Sequence, residues 1–249
     1  TGVNPGDAGA GLWAEGVAHL NGADPGNANV AASGGDVTGS ITLDNANSVL
    51  TALTVTDGGT GTGSFTGALT VADDVGAVTM DGTATGAWQI GGDVTGNVAV
   101  GATAATTTIT IGGHLGVGGG DTFDTTTGGI AGAINVTGDI TSAITSTTTI
   151  SGAITATGSI TGAIVGGSGI SGAITADDIQ TSITATTGDI SGLIRTTGAA
   201  TDGAISGAIQ ATAGAITGGI TTSDGDAGTN LAHVAAVVAG TNVSGTAFN

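Results

Sequence analysis

The side chains best suited to chemistry in this sequence are three histidines, His19, His114 and His233, and a scatter of aspartates. A general base or a nucleophile works only with partners within hydrogen-bond reach. The histidines stand far apart, and no Gly-x-Ser-x-Gly stretch offers a strand-to-helix turn for a serine nucleophile. Gly167, Gly169 and Gly172 satisfy Gly-x-Gly-x-x-Gly. That pattern cradles a pyrophosphate only where it opens a helix after a strand, and here it lies inside a run of isoleucine repeats. There is no cysteine, hence no thiolate and no disulfide. With one Arg (Arg195), no Lys, no Tyr and two Trp, a sugar-cleaving site with cations beside carboxylates is disfavoured. Enzymatic activity and a small-molecule substrate are not expected. What remains is metal chemistry: Asp121, Asp124, Asp177 and Asp178 stand in close pairs and carry the hard oxygen donors that calcium takes. They are the candidate calcium ligands, and solvated corner carboxylates are the plainer alternative.

The elements that must position these groups are built from little side chain. Of 249 residues, 51 are Gly and only 2 are Pro. Collagen is excluded, because it needs Gly at every third position with abundant Pro. Disorder is disfavoured by regularly spaced Ile residues. A net charge of -18 argues against nucleic acid, whose phosphates need cations, and against anionic membrane surfaces. No apolar run approaches the ~18 residues of a membrane-spanning helix.

The isoleucines form a repeat. Ile-x-Gly-Ala-Ile occurs at Ile130–Ile134, Ile150–Ile154, Ile160–Ile164, Ile170–Ile174 and Ile205–Ile209, with looser copies around them. Spacing of four residues suits helix or strand alike, so parity decides. From 130 to 176 every Ile occupies an even number, and the odd positions are mostly polar or small. This is the period-2 alternation of strands, and Gly and β-branched residues would make a poor helix. A ten-residue period preserves parity across each turn. Asn-Gly or Asp-Gly pairs, the hairpin signal, are missing from regular positions. The expectation is therefore an all-β, parallel β-solenoid of two or three decads per coil. Its core would be thin, made of Ile, Gly and Ala, the glycines letting two sheets approach across it. The decad slips by one residue at Ile179 and again at Ile190, which a corner or bulge must absorb.

The organisation expected is an N-terminal cap or assembly segment at 1–33, a solenoid at 34–228 and a C-terminal segment at 229–249. Leu12, Trp13, Val17 and Leu20 lie on helical spacing, which predicts a short helical cap. Leu231, Val234, Val237 and Val238 are the apolar residues of the other end, of ambiguous period. Open sheet edges at solenoid ends invite pairing, so these eight residues are the candidate assembly contacts.

In architecture the chain resembles repetitive extracellular β-solenoid proteins of surfaces and filaments. The resemblance implies a homopolymeric structural subunit outside the cell or on its surface. A start at Thr1 fits a removed export signal. "GVGGGDTFD" at Gly116–Asp124 resembles the calcium-binding nonapeptide of RTX proteins at Gly116, Gly119, Asp121 and Phe123, which implies calcium there. Thr-x-Thr triplets such as Thr106–Thr108 and Thr155–Thr157 resemble those of ice-binding solenoids. An ice-binding protein or a calcium-dependent adhesin is thus the alternative.

Overall fold

A computed structural model describes residues 18–19, 28–33, 35–56, 63–117, 120–198, 203–222 and 234–243. The chain is a parallel β-solenoid with two ten-stranded sheets. The first sheet takes Ala18–His19, Ile41–Leu43, Leu69–Val71, Trp88–Ile90, Thr108–Ile111, Ala133–Val136, Ile154–Ala156, Ile174–Ala176, Ile194–Thr196 and Ile220–Thr221. The second takes Ala28–Ser33, Leu50–Thr56, Val75–Met80, Val98–Val100, Thr122–Thr125, Ala143–Ser146, Ile164–Gly166, Ile183–Ala185, Ile205–Ala211 and Val234–Ala239. The chain alternates between sheets, so each strand pairs with the strand two further on. Ten rungs at about 4.8 Å make a rod on the order of 45 Å long.

Two decads make one coil. Ile130 bridges to Ile150 and Ile140 to Ile160, each 20 residues on. Successive decads are therefore half a turn apart, and the two sheets lie on opposite sides of the rod. The parity reading holds: Ile130, Ile134, Ile140 and Ile144, and their counterparts at 150–174, are at most 1% exposed. In register, Ile134 lies on Ile154 and Ile154 on Ile174. On the opposite sheet Ile144, Ile164 and Ile183 stack in the same way. Each buried Ile contributes roughly 1.5–3 kcal/mol over its exposed state.

The glycines serve a different purpose from the one expected. At the corner of each decad, the amides of Thr161 and Gly162 both donate to the carbonyl oxygen of Ile140, at 2.9 and 3.2 Å. Ser151 and Gly152 converge on Ile130 in the same way, and Ser171 and Gly172 on Ile150. This convergence bends the chain and draws the glycine onto the coil beneath. A Cβ at Gly162 would lie 1.9 Å from the Ser142 carbonyl oxygen, and one at Gly172 would lie 2.0 Å from that of Gly152. Close approach therefore runs along the axis, from coil to coil, and not across the core between sheets.

The slips are absorbed at corners. Three residues separate Val136 from Ile140, but only Asp177 and Asp178 separate Ala176 from Ile179. Ile160 still bridges to Ile179. The corner before Ile190 has one residue more than its counterpart before Ile150, and Ile170 bridges to Ile190. Coil length elsewhere runs from 19 residues (Phe65 to Ala84) to 28 (Val37 to Phe65). The core is not aromatic-free: Phe65, Trp88 and Phe123 are buried in the earlier coils, which lack the regular Ile pairs.

No helix occurs among the described residues, and Ala18–His19 is a strand paired with Ile41–Thr42. The helix expected around Leu12, Trp13, Val17 and Leu20 lies outside the described residues. At the other end the ambiguous period resolves as strand, since Val234–Ala239 pairs with Ile205–Ala211. Among the described residues no helix is long and apolar enough to cross a membrane.

Candidate functional site: the corners, the faces and the end

The acids sit mostly at corners, where they do structural work. Asp74 Oδ1 accepts the amide of Asp93 at 2.7 Å, and Asp93 Oδ1 accepts that of His114 at 2.7 Å. His114 Nδ1 accepts the Asp139 amide at 2.9 Å, and Asp139 Oδ1 accepts that of Ser159 at 2.8 Å. Each acceptor thus reaches up one coil to the residue stacked above it. His114 Nδ1 also lies 3.5 Å from Asp139 Oδ2. Because that nitrogen accepts from an amide, the ring proton belongs on Nε2 and the contact is not an ion pair. The same device holds Asp36 to Ser64, Asp178 to Ala204 and Asp189 to Ala215. The signal was present in the sequence: an acid stands directly before the corner aliphatic in Asp36-Val37, Asp74-Val75, Asp93-Val94, Asp139-Ile140, Asp178-Ile179 and Asp189-Ile190.

The four candidate calcium ligands are not brought together. Asp121 and Asp124 belong to the rung of Thr122–Thr125, and Asp177 and Asp178 lead into that of Ile183–Ala185, three rungs along the second sheet. That is about 14 Å. Asp178 Oδ1 accepts the Ala204 amide, at 3.1 Å. Among the described residues no group of three or more His, Cys, Asp or Glu is placed to hold a metal ion. In the stretch resembling an RTX nonapeptide, Gly116 and Gly120 adopt positive φ, and Phe123 packs inward between Val98 and Ile144. His19 and His114 lie on different coils, and His233 is outside the described residues.

The outward faces are nearly uncharged. On the first sheet the central outward column reads Thr42, Thr70, Gln89, Thr110, Asn135, Thr155, Thr175, Arg195, Thr221. On the second it reads Ala31, Thr54, Thr79, Ala99, Asp124, Thr145, Val165, Thr184, Gln210, Val238. Inside the rod, a packing gap bounded by Trp88, Ile111, Leu115 and Phe123 leaves no room for a water molecule. Trp88 Nε1 is buried with no hydrogen-bond partner among the described residues.

The C-terminal end differs from the middle. Val237 and Ala239 pack against the core but remain half-exposed, and Val238 and Val243 are 49% and 44% exposed. Val234–Ala239 is the outermost strand of its sheet and pairs on one side alone among the described residues. Of the other candidate assembly residues, Leu12, Trp13, Val17, Leu20 and Leu231 lie outside the described residues.

This is a parallel β-solenoid repeat protein. Compared with family models, with curated proteins and with solved structures, the chain matches none.

Proposed function

We propose that the chain is a non-enzymatic structural subunit that stacks end to end into a filament or surface layer, at or outside the cell surface. The observation that carries this reading is the C-terminal rung. Its strand Val234–Ala239 carries no charge and no proline, two of the devices by which natural sheets block pairing, and among the described residues its outer edge is unpaired. Its inward residues Val237 and Ala239 are half-exposed, as they would be if one more rung were wanting. The opposite end of the same sheet, Ala28–Ser33, is also an uncharged six-residue strand. A second copy placed on the axis continues both parallel ladders, and this head-to-tail contact does not close. Electron microscopy of concentrated protein tests it. Filaments that shorten or vanish in Val238→Lys are expected; dispersed rods at high concentration would remove the reading.

A second reading rests on the threonines of the first face. Thr42, Thr70, Thr110, Thr155, Thr175 and Thr221 share one column, and regular hydroxyls on a flat face favour an ice-binding surface. Gln89, Asn135 and Arg195 interrupt it. Thermal hysteresis in solution decides between the two.

A further inference from the structure

Charge is distributed over this rod in a particular way. Of the described acids, Asp36, Asp44, Asp73, Asp74, Asp81, Asp93, Asp121, Asp139, Asp177, Asp178 and Asp189 all lie outside the strands. Asp124 alone lies within a strand, in the central outward column of the second sheet. The one cation of the chain besides histidine, Arg195, lies in the central outward column of the first sheet. Arg195 is exposed, beside the exposed Leu193, and has no ion pair among the described residues. Apart from His19, in register with Thr42 at the head of the first column, each face thus carries one formal charge at its centre line among the described residues, and the signs are opposite.

We propose that the two faces are a lateral contact between copies of this chain, in which Arg195 of one copy meets Asp124 of the next. A second copy is the fitting occupant because charge, shape and orientation all agree. The sheets lie on opposite sides of the rod, so a pure translation brings the first face of one copy against the second face of another. Both columns consist of small or unbranched side chains, which lets the faces approach. Arg195 is on the ninth strand of its sheet and Asp124 on the fifth of its own, so rods pointing the same way pack with a four-rung stagger. Six overlapping rungs, roughly 16 by 29 Å, bury on the order of 900 Å² in total, below the ~1,200 Å² at which stable pairs begin. A single pair is therefore weak, and the contact accumulates across a layer. This contact is distinct from end stacking and does not depend on it.

The test is sedimentation equilibrium at about 0.15 M salt, where the Debye length of about 8 Å screens the corner acids from one another but not a contacting pair. The proteins compared are the parent, Arg195→Asp, Asp124→Arg and the double reversal, all carrying Val238→Lys to stop end stacking. Val238 lies outside the six-rung overlap. Each single reversal is expected to weaken self-association about tenfold, because it turns one attraction into a repulsion, and the double reversal to restore it to within about threefold. Arg195→Gln, which places in the column a residue it already holds at Gln89, is expected to weaken association and leave the thermal unfolding midpoint unchanged. A parent that stays monomeric, single reversals that associate like the parent, or a double reversal without rescue would overturn the proposal. Filament length in micrographs of the chain without Val238→Lys reports end stacking separately.

Discussion

A Cβ added to Gly152 would lie 1.9 Å from the carbonyl oxygen of Gly132, its counterpart one coil earlier. No real side chain tolerates that approach, and the backbone cannot easily give way: the Gly152 amide is bonded to the Ile130 carbonyl oxygen and the Gly132 amide to Thr103 Oγ1. The two residues are fixed in contact by the coil itself.

The first prediction concerns this contact. Gly162→Leu meets the Ser142 carbonyl oxygen at 1.9 Å and is expected to prevent folding, read as loss of the β-sheet circular dichroism signal. Thr161→Ser, one residue away on an exposed position, is expected to change stability by less than ~0.5 kcal/mol. A folded Gly162→Leu protein would show that position 162 faces outward and would undo the coil register.

The isoleucine column gives the second. Ile164 is fully buried between Ile144 and Ile183. Ile164→Ala should cost about 2–5 kcal/mol in chemical denaturation, and Ile160→Asp, which places a carboxylate where Ile160 is fully buried, should abolish folding. Near-native stability in either would contradict a core on the axis.

At the corners, the carboxylates act as acceptors rather than as charges. Asp93→Ala removes the 2.7 Å bond from the His114 amide and is expected to cost about 1–2 kcal/mol. Asp93→Asn keeps an acceptor oxygen and should cost less than half of that. If thermal unfolding ranks Asn with Ala, the ladder is electrostatic and the assignment is mistaken.

Calcium is the fourth. With Asp121 and Asp124 on one rung and Asp177 and Asp178 three rungs on, the unfolding midpoint should be the same in chelator and in millimolar calcium. A calcium-dependent rise would reinstate the ions.

Parity made the inward face legible, because every Ile from 130 to 174 had to share it. The ten-residue period then constrained the coil to whole decads, and stacking of Ile130 on Ile150 selected two. The role of the glycines was not legible. Alternation says that Gly162 faces inward, but only the convergence of two amides on the Ile140 carbonyl says what it touches. The corner role of the acids was hidden for a related reason. Asp177 and Asp178 look like a ligand pair in one dimension, yet Asp178 is committed to Ala204 one coil away. The acid-before-aliphatic signal at Asp93-Val94 and Asp139-Ile140 marks the amide-accepting role, and it is read only once the corner is known. Arg195 and Asp124 have no motif at all; their significance is that no other described strand holds an Asp, Glu, Lys or Arg.

Thr149 stacks on Gly169 and Ile150 on Ile170. Cutting out residues 150–169 would therefore join Thr149 to a residue already occupying the lateral position of the one removed, and Ile134 would come to lie on Ile174 and Ile144 on Ile183 in the same register. Inserting a second copy of the same twenty residues is equally free of conflict. The rod is a ruler whose length is set by the number of coils, adjustable by about 4.8 Å at a time without redesign of either end.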